Sequence, residues 1–259
     1  MTILKSLASA FLMYSRIPMP QVEWKEENRR YALCFFPLIG VVIGGFFLLW
    51  NYVSNLLNCG VILKGVVSVI IPIIVTGGIH LDGFCDVIDA KSSFGDREKK
   101  LSVMSDPHIG SFAAIYLAAY LLLQTAVYSE IRDIKTVVVI AFGFVLSRTL
   151  SGIGAVCFKS AKNKGTLQSF VKSAHRKITL SALVIIAVVI AVTMAYFSLY
   201  SGLSAIVGAA VCLIFYRFSS YKNFGGITGD TAGWFLQICE LWVAVTALVG
   251  EKITEVIVL

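Results

Sequence analysis

Long apolar runs separated by short polar connectors dominate this chain, and the runs have the length of membrane-crossing helices. A spanning helix takes about 20 mostly apolar residues. Seven runs qualify, over residues 32–56, 61–80, 110–129, 135–157, 178–199, 202–218 and 231–250. Ahead of them, residues 2–17 set Ile3, Leu4, Leu7, Phe11, Leu12 and Tyr14 against Lys5, Ser6, Ser9, Ser15 and Arg16. That pattern predicts a short amphipathic helix lying in the interface rather than crossing it. Arg16-Ile17-Pro18-Met19-Pro20 ends it, and Glu23 to Arg30 forms a charged connector. The expected fold is an all-α integral membrane protein with one polytopic domain over residues 1–259. Residues 1–30 are its interfacial helix and connector, and 31–259 a bundle of about seven transmembrane helices.

Composition strengthens the membrane reading. The chain is 58% hydrophobic and 14% charged, with a mean hydropathy of +0.84, where soluble domains carry about 25% charged residues. The net charge of +7 follows loop topology rather than nucleic-acid binding, since cytoplasmic loops of membrane proteins are rich in Lys and Arg. With the N-terminus inside, only Lys64, Arg132, Lys135 and Lys252 fall on outer segments. Arg148 lies at depth, and every other Lys and Arg is inside. The expectation is a multi-pass protein of the cytoplasmic (inner) membrane, in contact with the lipid bilayer and without a nucleic-acid partner. The six cysteines form no CxxC pair and read as small buried hydrophobes in a reducing setting. The N-terminus lacks a convincing cleavage site and does not read as a signal peptide.

Chemistry concentrates in Thr76–Ala90, TGGIHLDGFCDVIDA. On a helix, offsets of four and seven residues place Asp82, Asp86 and Asp89 on one face. Carboxylates stacked so closely repel, and a divalent cation among them relieves the repulsion. Mg²⁺ suits such a site, being hard, oxygen-seeking and usually held by a few carboxylates plus substrate phosphates. A solvated helix end is the plainer alternative. His80 stands at the start of the same stretch, and Asp106 opens the turn Asp106-Pro107-His108-Ile109-Gly110-Ser111, as a plain N-cap or as a site acid.

Three further features bear on phosphate. Arg148, buried in the fourth run, is either the partner of Glu240 or a phosphate clamp, and the clamp is the preferred reading. Gly225-Gly226-Ile227-Thr228-Gly229-Asp230 leads into a helix, where backbone amides favour an anion. It carries no Gly-Lys-Ser/Thr and is not a P-loop. Lys159 to Lys177 holds six basic residues, a topology anchor on anionic lipid or an attractor of anionic substrate. Together these describe metal-assisted phosphoryl transfer on a nucleotide diphosphate. A membrane carrier is the rival from another class, although the acids gather at one face rather than at the midplane.

The motifs GGIHLDGFCDVIDA, MSDPHIGSFA at 104–113 and GGITGDTAGWFLQICE at 225–240 resemble the cobalamin synthase family (adenosylcobinamide-GDP ribazoletransferase). SRIP at 15–18 and FPLIGVVIG at 36–44 are similar to it as well. The resemblance implies a Mg²⁺-dependent inner-membrane transferase with its active site on the cytoplasmic side. Its partners would be adenosylcobinamide-GDP and α-ribazole or its 5′-phosphate, with GMP released. A homo-oligomer, or association with other enzymes of the pathway, is compatible with it. Asp82, Asp86, Asp89 and Asp230 become the metal ligands. Asp82, Asp86, Asp89 and Asp106 become the catalytic acids, with Asp89 or Asp106 accepting the ribazole hydroxyl proton. His80, Arg148, Gly225, Gly226, Thr228, Gly229, Glu240 and Arg16 become substrate-binding residues. The chain departs from the pattern at Cys85, His108 and Gln237, the last leaving Glu240 as the deep carboxylate of its span. The family is also similar to CDP-alcohol phosphotransferases, whose Ala-Arg element and long spacing are missing here; a lipid enzyme of that kind is the alternative enzymatic reading.

Overall fold

The computed structural model describes residues 2–162 and 165–258. Its helices, in chain order, are α1 (Thr2–Tyr14), α2 (Glu26–Arg29), α3 (Ala32–Leu56), α4 (Val61–Thr76), α5 (Ile79–Ser92) and α6 (Arg97–Val103). There follow α7 (Ser111–Glu130), α8 (Ile134–Cys157), α9 (Thr166–Ser173), α10 (Arg176–Phe197), α11 (Leu199–Phe224) and α12 (Gly229–Val258). Six of these, α3, α7, α8, α10, α11 and α12, are long and apolar enough to cross a membrane. The pair α4 and α5 supplies a seventh, broken span, bent by 97°. The chain is an integral membrane bundle of the expected class.

The break corrects the second predicted span, which was expected to run unbroken over 61–80. α4 stops at Thr76 because Gly77 and Gly78 both turn left-handed, at φ 67° and 78°. Only glycine takes that conformation twice in succession at little cost. The Gly78 amide then closes on the Ile73 carbonyl at 3.1 Å. The acidic stretch therefore begins a helix of its own, set across the direction of α4. The last two spans also run past their expected ends, to Phe224 and Val258.

α12 organises the bundle by packing on α11, α5, α8 and α7, while α8 also packs on α3 and α10. Phe144, Val139, Phe235, Cys239 and Ala244 fill this centre. Val184, Ile185, Val188 and Val192 of α10 stay exposed, an apolar outer face that only lipid satisfies.

α1 differs from the simple two-faced helix. Phe11 and Tyr14 pack inward, but so do Ser6 and Ser9, and Ile3 and Leu4 remain exposed. The serines are small enough to approach the connector. Ser9 Oγ donates to the Asn28 carbonyl at 3.2 Å, and Ser6 Oγ accepts from the Tyr31 amide at 3.3 Å. α1 is docked onto α2 and α3 as well as amphipathic.

The connectors that the charge rule places on one side meet one another. Arg97 donates to the Ala161 carbonyl at 3.0 Å, Lys100 to Asn223 at 2.8 Å and Lys162 to Ser105 at 3.0 Å. At the opposite end, Glu251 accepts from the Arg132 and Asp133 amides. Lys164, one of the basic residues of that sorting, lies outside the described residues.

Candidate active site

Two helices with short contacts build the site. α5 and the first turn of α12 approach so closely that a Cβ on Gly83 would sit 2.8 Å from the Asp230 carbonyl oxygen. A Cβ on Gly233 would sit 3.2 Å from the His80 carbonyl oxygen. Glycine at both positions lets the backbones touch, and the touch carries Asp230 beside the α5 carboxylates. Gly83→Val should force the helices apart and cost about 1–3 kcal/mol by overpacking. The check is a lower thermal midpoint of the detergent-solubilised protein.

Thr228 caps α12. Its Oγ1 accepts from the Thr231 amide at 3.1 Å, while Thr231 Oγ1 accepts from the Thr228 amide at 2.8 Å. This is the reciprocal arrangement of a capping box, with threonine in place of the acid. It fixes the direction in which Asp230 leaves the helix.

Asp82 and Asp230 line one cavity of about 380 Å³. His80, Thr228, Gly229 and Lys162 share its wall, and Tyr14 and Phe36 close its inner part. α9 adds Leu167 and Gln168, the latter facing Ser160 Oγ at 2.8 Å. Asp82 also borders a second cavity of about 550 Å³, lined by Arg16, Ser15, Gly77 and Leu117. Arg16 lies against Gly77 and is exposed. The charges acting on Asp86 are those of Asp82, Asp230 and Asp89, with Lys162 the cation among them. Burying like charges together costs free energy unless a cation joins them.

Several expected site residues are employed differently. Both Asp89 oxygens are taken by the start of α7, accepting the Gly110 amide at 2.6 Å and the Ala113 amide at 2.9 Å. Asp89 thus caps a helix whose dipole favours a carboxylate there. Asp106 lies away from both cavities, half-exposed, with His108 Nδ1 2.8 Å from its Oδ1. Hydrogen bonds from the His108 amide and ring hold Asp106 below the ordinary carboxylate range, which makes it a poor proton acceptor.

Arg148, expected as a phosphate clamp, is paired with Glu240 in this structure. Its Nη1 donates to Glu240 Oε1 at 2.7 Å and to the Phe144 carbonyl at 2.9 Å, and the guanidinium is fully buried. Neither Arg148 nor Glu240 reaches the main cavity; the pair neutralises itself behind it. Gln237 turns to Tyr120, whose hydroxyl donates to it at 2.8 Å.

The glycine turn is not an anion cradle either. The amides of Gly225, Gly226, Ile227 and Thr228 donate to Tyr221, Ser220, Lys159 and Thr231. Gly225 is left-handed at φ 70° and carries the Arg97 guanidinium over it, while Gly226 fits against Lys159–Ala161. These two glycines serve chain packing; Thr228, Gly229 and Asp230 are the residues of this segment that line the cavity.

Sequence reasoning did not single out Lys162, Tyr14 and Phe36, which line the main cavity. The basic run 159–177 held a signal for Lys162, although six similar residues there gave no reason to choose it. Nothing local marks Tyr14 or Phe36, which reach the cavity only because α1 docks on α3.

Fold and site together define a multi-pass helical membrane protein with carboxylates and, among the described residues, one lysine on the wall of a cavity at one end of the bundle. Within that class, residues 6–248 match the family model for cobalamin-5-phosphate synthase, and the chain belongs to that family. It is 43% identical to the adenosylcobinamide-GDP ribazoletransferase of Lachnoclostridium phytofermentans, covering 96% of this chain and 95% of the relative. The same-named protein of Treponema denticola is 34% identical, over 94% of this chain and 97% of the relative. That of Clostridium botulinum strain Alaska E43 is 30% identical, over 92% and 95%. No solved structure matches.

Proposed function

We propose that this chain joins α-ribazole, or its 5′-phosphate, to adenosylcobinamide-GDP and releases GMP. It does so from the cytoplasmic face of the cell membrane. The observation that carries this reading is the α5–α12 junction, which sets Asp82 and Asp230 on one cavity wall with Lys162. In such a transfer the ribazole hydroxyl oxygen bonds to the corrinoid-side phosphorus. The bond from that phosphorus to the bridging oxygen breaks, and GMP leaves with the oxygen. Asp82, at the border of both cavities, takes the hydroxyl proton. Lys162, on the wall of the same cavity, would offset the diphosphate charge.

Asp82, Asp86 and Asp230 offer oxygen donors only, which fits Mg²⁺. Among the described residues, no three His, Cys, Asp or Glu side chains stand close enough to hold an ion unaided. A cation seated by these carboxylates therefore needs the substrate diphosphate to complete its shell, as is common for Mg²⁺. When bound it would neutralise the developing phosphate charge. Mg²⁺ affinity should rise at least about tenfold when adenosylcobinamide-GDP is present, because each added charged ligand contributes more than about 1.4 kcal/mol. Calorimetric Mg²⁺ titration with and without the nucleotide measures this; equal affinities would remove the diphosphate from the metal shell.

The reaction itself is tested by GMP release from adenosylcobinamide-GDP by purified protein in liposomes, with and without α-ribazole and Mg²⁺. Release requiring both supports the transferase. Equilibration of labelled cobinamide across the bilayer without GMP release would replace it with a carrier.

A further inference from the structure

His80 is 5% exposed, lines the main cavity, and its Nε2 has no hydrogen-bond partner among the described residues. Its ring is stacked near Tyr14, with centroids 6.5 Å apart and planes 25° apart. Phe36 meets it edge-on at 6.1 Å. Leu33, Ile79 and Leu236 line the same cavity, as do the uncharged polar residues Ser151, Ser160, Gln168 and Thr228. The charged residues Asp82, Asp230 and Lys162 line the same cavity. One chamber thus combines a phosphate-handling wall with an aromatic wall that offers a single buried imidazole.

A buried polar group that lacks a partner is costly and needs an explanation. In a neutral imidazole one nitrogen donates and the other accepts. We propose that the Tyr14–Phe36–His80 wall is the subsite for the base of the acceptor nucleoside, with the His80 imidazole hydrogen-bonded to its one free ring nitrogen. This rests on the transferase reading and names which substrate the chamber takes. Both substrates end in an aromatic nucleoside, and polarity separates them. Guanine presents two acceptors and an amino donor along its edges, as well as a ring N–H. An imidazole flanked by the Tyr14 and Phe36 rings would leave most of those unpaired, at a cost for each. A benzimidazole riboside has one unsubstituted ring nitrogen and otherwise apolar edges, which is what this wall satisfies. A cavity of about 380 Å³ is of the size that encloses a single small ligand.

The test compares α-ribazole with the indole riboside analogue, in which C–H replaces the free ring nitrogen. With the full-length protein in liposomes, the analogue should raise KM about 10- to 100-fold, the effect of leaving a buried partner unpaired. His80→Ala should raise the ribazole KM by a similar factor and leave the KM for adenosylcobinamide-GDP within about twofold. It should also no longer distinguish ribazole from the analogue. His80→Gln, which keeps an N–H, should recover part of the discrimination. A merely structural role would move both KM values or kcat and leave the discrimination intact. A rise in the nucleotide-donor KM alone would assign the wall to guanosine and overturn the proposal. Equilibrium dialysis of labelled ribazole against wild-type protein, with the analogue as competitor, needs neither turnover nor a variant. Equal competition by the analogue there would overturn the subsite, whereas absent GMP release with preserved discrimination would count against the transferase reading alone.

Discussion

Asp82→Asn should lower GMP release by at least about 10²- to 10³-fold, several kcal/mol of transition-state stabilisation, while the protein still inserts and unfolds at the wild-type temperature. Among the described residues Asp82 accepts no hydrogen bond that holds a helix in place, and the residue is exposed where the two cavities meet. Removing its charge relieves repulsion in the carboxylate group rather than breaking a contact. The contrast is with Asp89→Asn. There the loss of a charged cap from α7 should cost about 1 kcal/mol of stability with a smaller loss of turnover. Initial rates of GMP release and thermal unfolding, measured on the same preparations, separate the two. Wild-type turnover by Asp82→Asn would remove this carboxylate from the reaction.

Glu240→Ala should be the most destabilising single change, costing about 3–5 kcal/mol because it leaves the Arg148 cation buried without its counter-charge. The pair sits at the centre of the bundle, with Arg148 fully buried and Glu240 nearly so. Among the described residues Arg148 Nε and Nη2 already have no partner, beside a void of about 10 Å³ that holds at most one water. Glu240 is the one acid paired with Arg148 among the described residues. For a chain of this length the loss corresponds to roughly 6–20 °C in thermal midpoint. Replacing both residues together, Arg148→Met with Glu240→Leu, should restore most of it, since a matched apolar pair leaves no orphaned charge. Restored stability with retained GMP release would show that the pair supports the scaffold. Restored stability with no release would return a substrate role to Arg148.

Much of this was legible in the chain because the bilayer imposes a one-dimensional rule. Apolar runs of sufficient length gave the spans, and Lys and Arg placement sorted connectors that do meet at one end. What failed depended on contacts between distant segments. The Gly77-Gly78 break was visible as a glycine pair, but a 97° turn requires both residues to go left-handed, and nothing in the apolar pattern demands it. Asp89 looked like its neighbours Asp82 and Asp86 because helical periodicity assigns a face, not a partner. It is the arrival of Gly110 and Ala113 that makes it a cap. The glycine turn at 225–228 had the composition of an anion site, yet its amides are spent on α11, Lys159 and Thr231. Arg148 had two readings in the sequence, and the 2.7 Å contact with Glu240 decides for the ion pair. The resemblance to the family supplied the reaction, which physical reasoning from spacing alone had brought only as far as phosphoryl transfer.

The central claim is that α5 and α12 together make one phosphate-handling site. An experimental structure with adenosylcobinamide-GDP and Mg²⁺ bound tests it most directly, through the position of the diphosphate. The account predicts the diphosphate in the chamber between Asp82 and Asp230, with Lys162 turned toward it and the Arg148–Glu240 pair untouched. A diphosphate lodged on Arg148, or on the basic connector 159–177 away from both aspartates, would contradict it.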